Sequence, residues 1–110
     1  MDNADFLKHI FNSWNKPIVF VDADHTIRYM NAPAKIHYAK WGDVIGKSIF
    51  HCHNEKSARR IKEAFTELEN GQDEVLLVNS EKHRVYMRGI RDEHGCLIGY
   101  CERYDPPLGK

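Results

Sequence analysis

The residues of this sequence best suited to chemistry are two imidazoles and a thiol in one short segment. His51, Cys52 and His53 lie in the stretch GKSIFHCHNEKSARRIKEAF, directly before a run with helical periodicity. Imidazoles and thiolates bind transition metals and heme iron, and both groups respond to pH or redox state. The segment therefore predicts a metal or heme ligand, a redox site or a pH switch, with ordinary loop residues as the alternative.

A dedicated zinc site is the weaker of the metal hypotheses. In extended backbone His51 and His53 project to the same side, so both imidazoles can reach one ion. Structural zinc takes four ligands, however, and no second pair of cysteines or histidines stands at zinc-finger spacing. Cys96 and Cys101 fall on opposite sides of a regular strand and do not complete such a set.

Cys52 supports a separate hypothesis of thiol redox sensing. A helix N-terminus and neighbouring imidazolium groups favour thiolate, so they can lower the pKa of this thiol. The alternative is an inert, partly buried cysteine that packs as a small apolar residue. Because the three cysteines are an odd number without framework spacing, we expect reduced thiols in a cytoplasmic protein.

Composition narrows the class of protein. The 110 residues predict one domain, and 16 basic against 16 acidic residues give zero formal net charge. That balance argues against a nucleic-acid-binding module and against charge-driven membrane binding. No apolar run reaches the ~20 residues of a membrane span, and the N-terminus does not read as a secretory signal. No catalytic triad, phosphate-binding loop or metal-hydrolase signature is present, so we expect no enzymatic activity.

Hydrophobic periodicity predicts an α+β domain. An amphipathic helix comes first, then a hairpin of PIVFVD and TIRYMN around the turn DADH. We expect Ile27 and Tyr29 to share one face of the second strand. Helical segments follow, the strongest starting after the N-cap candidate Asn54, and three strands complete the chain. Strands grouped around central helices indicate an antiparallel five-stranded sheet with helices on one face.

This order, together with PIVFVDADHTIRYMN, VIGKSIF and IRDEHGCLIGY, resembles a bacterial sensory PAS domain across residues 17–105. The resemblance implies the PAS fold, with strand order 2-1-5-4-3 and helices that form a pocket over one face. It also implies a module that senses small ligands, gases, light or redox state, or that acts as a dimerising relay, and signals to an effector domain or protein.

The opening segment is similar to one in heme-binding, carbon-monoxide-sensing PAS regulators. His53, Glu55, Lys56 and Ser57 match a segment whose histidine is the heme ligand, which implies His53 as the ligand of heme b. Leu77 stands near the point where those sensors carry a second, methionine ligand, and leucine cannot bind iron. The flavin photosensors are less similar, because Ile49 stands where their reactive cysteine would be.

Several side chains are expected to line the predicted pocket. A heme macrocycle needs apolar walls, and a neutral imidazole is its usual proximal ligand. The residues expected to bind the cofactor are His53, Ile49, Ile61, Phe65, Leu77 and Met87, with His53 as the metal ligand. Ile36 and Tyr100 are further candidates for the wall. The alternative is a helix-entry histidine with no cofactor.

The N-terminal helix is expected to mediate dimerisation. Its apolar stripe consists of Phe6, Leu7, Ile10, Phe11 and Trp14. Such a stripe is larger than a monomer usually exposes, so we expect a homodimer through this helix and the sheet, or a helix that caps its own sheet. The domain plan is a flanking helix over 1–16, the PAS domain over 17–105 and a tail over 106–110. A cofactor-free PAS interaction domain remains the main alternative to a ligand sensor.

Overall fold

The computed structural model describes residues 1–107. Its elements are α1 Asn3–Asn12, β1 Ile18–Asp22, β2 Ile27–Met30, α2 Ala32–His37, α3 Glu55–Glu69, β3 Glu74–Asn79, β4 Arg84–Arg91 and β5 Leu97–Asp105. Two 3-10 turns, Ala39–Trp41 and Ile49–Cys52, lie between α2 and α3. The order of elements expected from the sequence is confirmed, while residues 108–110 of the expected tail lie outside the described residues.

The five strands form one antiparallel sheet in the order β2-β1-β5-β4-β3, which confirms the predicted topology. The central strand is β5, where Glu102 lies opposite Val19 of β1 and Met87 of β4. Close contact between β1 and β5 requires glycine at position 99, because a Cβ there would collide with the carbonyl oxygen of Val21. The last strand of the chain is thus held in the middle of the sheet.

The hydrophobic core lies between the helices and the inner face of the sheet. Strand alternation places Val19 and Val21 of β1 on this face, beside Tyr100 of β5. From the helical segments, Ala34 and Tyr38 are buried against it. The expectation for Ile36 is wrong, because its side chain is 78% exposed. Helix α2 is only six residues long and turns a different side toward the sheet.

The hairpin of β1 and β2 contains a β-bulge. Phe20 lies opposite Tyr29, but the next residue, Val21, lies opposite Ile27, so Arg28 has no counterpart in β1. The extra residue shifts the alternation by one position. Ile27 is therefore buried in the core while Tyr29 contacts Phe20 on the outer face. The expectation that Ile27 and Tyr29 share a face is wrong for this reason.

Helix α3 covers the inner face as its sequence predicts. The Asn54 side chain accepts a hydrogen bond from the Ser57 N–H at 2.8 Å, which confirms the N-cap. Ile61, Ala64 and Leu68 recur at helical spacing and are buried against the sheet. The first turn of α3 is thereby fixed directly after His53.

Helix α1 begins at an acidic cap and contacts the outer face. The Asp2 side chain accepts a hydrogen bond from the Asp5 N–H and so forms the N-cap of the helix. Phe11 packs edge-on against Phe20, with ring centroids 4.9 Å apart. The helix has no fully buried residue. Most of the predicted apolar stripe remains exposed, namely Phe6, Leu7 and Ile10 of the helix and Trp14 just beyond its end.

One buried asparagine ties α1 to the core. Asn31 accepts hydrogen bonds from the N–H groups of Ile18 and Ala34, which makes it the N-cap of α2. Its amide nitrogen donates to the carbonyl oxygens of Phe11 and Lys16 at 2.9 and 3.0 Å. Asn31 therefore links the N-terminus of α2 to the C-terminal end of α1 through hydrogen bonds.

Candidate functional site

A cavity of about 380 Å³ lies between α3 and the inner face of the sheet. Its volume falls within the range of ~300–1,000 Å³ that is usual for small-molecule sites. Its lining combines apolar, aromatic and charged side chains, namely Tyr38, His53, Lys56, Ser57, Arg60, Ile61, Leu77, Val78, His83, Val85, Glu102 and Tyr104.

Glu102 is the unusual group of this cavity. Only 2% of its surface is exposed, and its Oε1 atom has no hydrogen-bond partner among residues 1–107. Burial raises the pKa of this carboxyl, although His53 nearby acts in the opposite direction. Buried polar atoms are almost always hydrogen-bonded in folded proteins. An unpartnered carboxyl oxygen at a cavity wall therefore indicates a missing hydrogen-bond donor.

Two tyrosine hydroxyls lie near each other in the cavity. The hydroxyl oxygens of Tyr38 and Tyr104 are 3.5 Å apart, and that of Tyr104 lies 3.4 Å from Nε2 of His37. Burial raises the pKa of Tyr38, and it raises the pKa of Tyr104 to about 12. Both phenols keep their protons at neutral pH and remain available as donors.

His53 is held in one orientation by the backbone. It lies in extended conformation between the 3-10 turn and the N-cap of α3, with Nδ1 at 2.8 Å from the carbonyl oxygen of Ile49. Because a carbonyl oxygen only accepts, Nδ1 carries the proton. The neutral imidazole is therefore left with Nε2 as its lone-pair nitrogen, the arrangement typical of a histidine that binds a metal or accepts from a ligand.

The mouth of the cavity is basic. Lys56 and Arg60 project from the first turns of α3, and Ser57 lies between them. Arg60 donates to the carbonyl oxygen of Leu76 at 2.9 Å, which anchors its guanidinium beside β3. Its ion pairs with Glu67 and Glu63 are longer, at 3.5 and 3.9 Å, and partly exposed to water, so they neutralise the guanidinium only weakly.

The structure brings together three of the six residues that were predicted to bind a cofactor. His53, Ile61 and Leu77 line the cavity. Of the other three, Ile49 and Met87 lie in the adjacent core cluster, and Phe65 packs against it.

The aromatic groups of that cluster explain the separation. The imidazole of His25 lies 4.8 Å from the Phe65 ring, and its Nδ1 lies 2.9 Å from the Tyr100 hydroxyl. These contacts fill the space beside Ile49. The predicted pocket is thus divided into a filled aromatic half and an open polar half.

Cys52 lies beside the cavity in an environment that disfavours thiolate. Its side chain is buried, and its Sγ donates to the carbonyl oxygen of Ile49 at 3.3 Å. Burial raises the pKa of the thiol. Sγ also lies 3.6 Å from Nδ1 of His53, but that nitrogen carries a proton and cannot act as a base. Within residues 1–107 no three histidine, cysteine or acidic side chains are placed to hold a metal ion.

Sequence reasoning missed the polar residues that dominate the site. Glu102, Tyr38 and Tyr104 were not among the expected pocket residues, although Tyr100 was. Strand alternation carries the missing signal, because positions 100, 102 and 104 of β5 share one face. A glutamate on the inner face of a central strand is rarely tolerated without a partner, and this marks it as a candidate functional residue.

Comparison with known proteins places this fold in one family. The model of the PAS domain family matches residues 7–102. No curated protein sequence matches the chain. Over residues 1–107, no helix has the length and apolar character needed to cross a bilayer.

Three solved structures illustrate the likeness in fold. The C-terminal domain of a Streptococcus mutans protein is 22% identical, with a TM-score of 0.75 over 96% of this chain and 89% of that one. The PAS domain of Bordetella pertussis BvgS is 17% identical, with a TM-score of 0.72 over 100% and 90%. The Aer2 receptor from Vibrio cholerae, described as a dual PAS-heme oxygen sensor, is 17% identical, with a TM-score of 0.55 over 84% and 94%. Matched by the family model over most of its length, this chain belongs to the PAS domain family.

Proposed function

We propose that this PAS domain is a sensory module that binds a small ligand in the cavity between α3 and the sheet. The observation that carries the proposal is the unpartnered Oε1 atom of Glu102 at the cavity wall. A buried polar atom without a partner destabilises the fold by roughly 1–3 kcal/mol, and a ligand with a hydrogen-bond donor would remove that penalty. The nearby hydroxyls of Tyr38 and Tyr104 would help to orient it.

Signalling would pass from the cavity to α1. Tyr38 lines the cavity at the end of α2, and Asn31 at the start of α2 is hydrogen-bonded to the carbonyl oxygen of Phe11 in α1. A ligand that contacts Tyr38 in one arrangement only would shift the population of α1 positions. The exposed apolar stripe of α1 supports a homodimer interface on this helix. A change in the position of α1 would alter that interface.

An amide NMR screen tests the proposed cavity. The screen uses neutral, anionic, cationic and zwitterionic fragments with labelled wild-type protein and with Ser57→Phe, which narrows the cavity. The matched control is Thr66→Phe, at an exposed position of the same helix. We expect fragments that shift residues around Glu102 to lose affinity in Ser57→Phe and keep it in Thr66→Phe. The proposal fails if no fragment shifts these residues in the wild type.

Heme bound through His53 is the second candidate. The Nδ1 bond to Ile49 supports it, since metal-binding histidines usually donate their other ring N–H to an oxygen acceptor. The Vibrio cholerae neighbour is a heme sensor by its own description. The cavity walls fit poorly, however, because heme takes an apolar pocket whereas this cavity contains the buried carboxyl of Glu102. We therefore derive no mechanism through heme.

Two further alternatives rest on other features. A cofactor-free interaction domain is favoured by the exposed stripe of α1 alone, and an empty fragment screen would support it. Thiol redox sensing or thiol catalysis by Cys52 is disfavoured by the raised pKa of the thiol and by the proton on Nδ1 of His53. We propose a binding role rather than a catalytic one. Because all three cysteines are free thiols, we also propose that the protein is cytoplasmic.

A further inference from the structure

We infer that the ligand of this cavity is a small zwitterion, with an amine that binds Glu102 and an acidic group that binds Lys56 and Arg60. This inference rests on the proposed function and names the chemical class of its ligand. The cavity has an acidic, enclosed side and a basic, open side, and each side selects a different group of the ligand.

The enclosed side selects a donor that carries positive charge. Glu102 is the one acidic side chain among the described residues that line the cavity, and its Oε1 lacks a partner there. A protonated amine supplies up to three N–H donors and neutralises a carboxylate. The rings of Tyr38 and Tyr104 line the same cavity, and aromatic faces attract a cation that has left water.

The open side selects an anion. Lys56 and Arg60 lie one turn apart on α3, and His83 faces them from the turn before β4. The guanidinium is fixed by its bond to the Leu76 carbonyl, so it is oriented before a ligand arrives. Fixed cationic donors are the usual means of binding carboxylate or phosphate. The Ser57 hydroxyl between them offers one further donor.

A ligand with only an amine or only an acidic group would leave one side of the cavity without a complementary charge. A simple anion would leave Oε1 of Glu102 without a donor, and it would repel the carboxylate form of this side chain. A simple amine would meet the positive charges of Lys56 and Arg60 at the mouth and would carry no acidic group to pair with them. The volume of about 380 Å³ limits the ligand to a compact molecule, such as an amino acid.

The protonation of Glu102 provides an independent signature. Its carboxyl faces Tyr38, Cys52, His53, Tyr100 and Tyr104, and Lys56, Arg60 and His83 lie at the mouth. Burial raises its pKa, so in the empty cavity the carboxyl holds its proton to a higher pH than an ordinary glutamate does. An arriving ammonium group stabilises the carboxylate. In the pH range where the empty carboxyl is partly protonated, binding therefore releases a proton, and affinity increases as the pH rises through the pKa of Glu102.

The test compares matched probes by calorimetry in buffers of different ionisation enthalpy. The zwitterions are glycine, β-alanine, γ-aminobutyrate and δ-aminovalerate, and the single-charge probes are n-butylamine and butyrate. We expect at least one zwitterion to bind about tenfold more tightly than either single-charge probe, with proton release. Amide NMR spectra verify that each variant is folded and that the probe contacts the cavity.

Variants separate the two ends of the ligand. Glu102→Gln should weaken the zwitterion about tenfold and abolish proton release, while Glu93→Gln, at an exposed position, should change neither. Arg60→Gln should weaken the zwitterion about tenfold but should not weaken n-butylamine, which loses a like charge at the mouth. Arg59→Gln, its exposed neighbour outside the cavity, should have no effect.

The outcomes distinguish this inference from the proposed function. If neutral or singly charged fragments occupy the cavity but no zwitterion is preferred, the inference is overturned and the sensory proposal stands. The inference is also overturned if a zwitterion binds equally well to Glu102→Gln. If nothing in either the fragment screen or the probe series reaches the cavity, both fail together.

Discussion

The Nδ1 atom of His53 lies 2.8 Å from the carbonyl oxygen of Ile49. This bond sets the tautomer of the imidazole and leaves Nε2 as its lone-pair nitrogen. The same histidine lines a cavity whose other prominent group is the buried carboxyl of Glu102. The orientation of His53 suits a metal ligand, whereas the polar lining of the cavity suits a polar organic molecule. The two interpretations predict different absorbance spectra when hemin is added.

Hemin titration separates them. Because the cavity lacks an apolar wall on the Glu102 side, we expect no saturable Soret band that depends on His53. The measurement is an absorbance titration of wild type and His53→Ala, repeated with dithionite and carbon monoxide. A saturable band that responds to carbon monoxide and disappears in His53→Ala would contradict this expectation and establish the heme alternative.

Alkylation kinetics test the role of Cys52. Burial raises the pKa of its thiol, whereas Cys96 is exposed. Thiolate is the reactive form, so we expect iodoacetamide to modify Cys96 at least about tenfold faster than Cys52 near neutral pH. Peptide mass spectrometry over a time course measures both rates. In Cys96→Ser, Cys52 should remain slow, and preferential modification of Cys52 would revive the thiol redox hypothesis.

The pH dependence of stability reports the buried carboxyl. Burial raises the pKa of Glu102 above its ordinary value of 4.5. As the pH rises, the unfolded chain loses this proton first, so the folded state is progressively destabilised until the pH passes the folded pKa. Glu102→Gln lacks this penalty. We expect the variant to match wild type at about pH 4 and to exceed its free energy of unfolding by a margin that grows with pH and levels off above the folded pKa.

Urea denaturation at several pH values provides the measurement. Glu93→Gln is the control, since this exposed carboxylate in the β4–β5 turn should show no such divergence from wild type. A difference between Glu102→Gln and wild type that stays constant across the pH range would mean that the pKa of Glu102 is not raised.

The exposed stripe of α1 predicts a dimer that charge can separate. Leu7 and Trp14 are each 51% exposed and lie outside the contact between Phe11 and the sheet. We expect Leu7→Glu combined with Trp14→Glu to weaken dimerisation by about tenfold or more, without unfolding the domain. Sedimentation equilibrium measures the association. His9→Glu, on the polar side of α1, should leave it unchanged, and equal association in all variants would exclude α1 from the interface.

Most of the fold could be predicted from local signals in the sequence. Asn54 predicted the start of α3, because its side chain satisfies a free N–H of the first turn. The alternating strands predicted the sheet, and the resemblance to PAS domains supplied its order. The β-bulge at Arg28 was not predicted, since it depends on pairing with β1 rather than on local sequence. The prediction of which face of the sheet Tyr29 occupies was consequently wrong.

The site was predicted less well, for a physical reason. A heme pocket needs apolar walls, so Met87 and Phe65 were predicted to line it, but Met87 lies in the core cluster and Phe65 packs against that cluster. Whether an inward-facing residue packs tightly or borders a cavity depends on the distance between α3 and the sheet, and sequence does not encode that distance locally. Glu102 was recognisable from alternation in β5, yet its lack of a partner appears only in three dimensions.

The carboxyl carbon NMR signal of Glu102, assigned by its absence from Glu102→Gln, tests most directly whether this side chain faces a ligand. We expect this signal to titrate above the ordinary pKa of 4.5 and to shift when a cavity-binding fragment is added. A signal that titrates at or below the ordinary value, and that no fragment in the screen displaces, would contradict the central claim that Glu102 is the ligand-facing group of a sensory cavity.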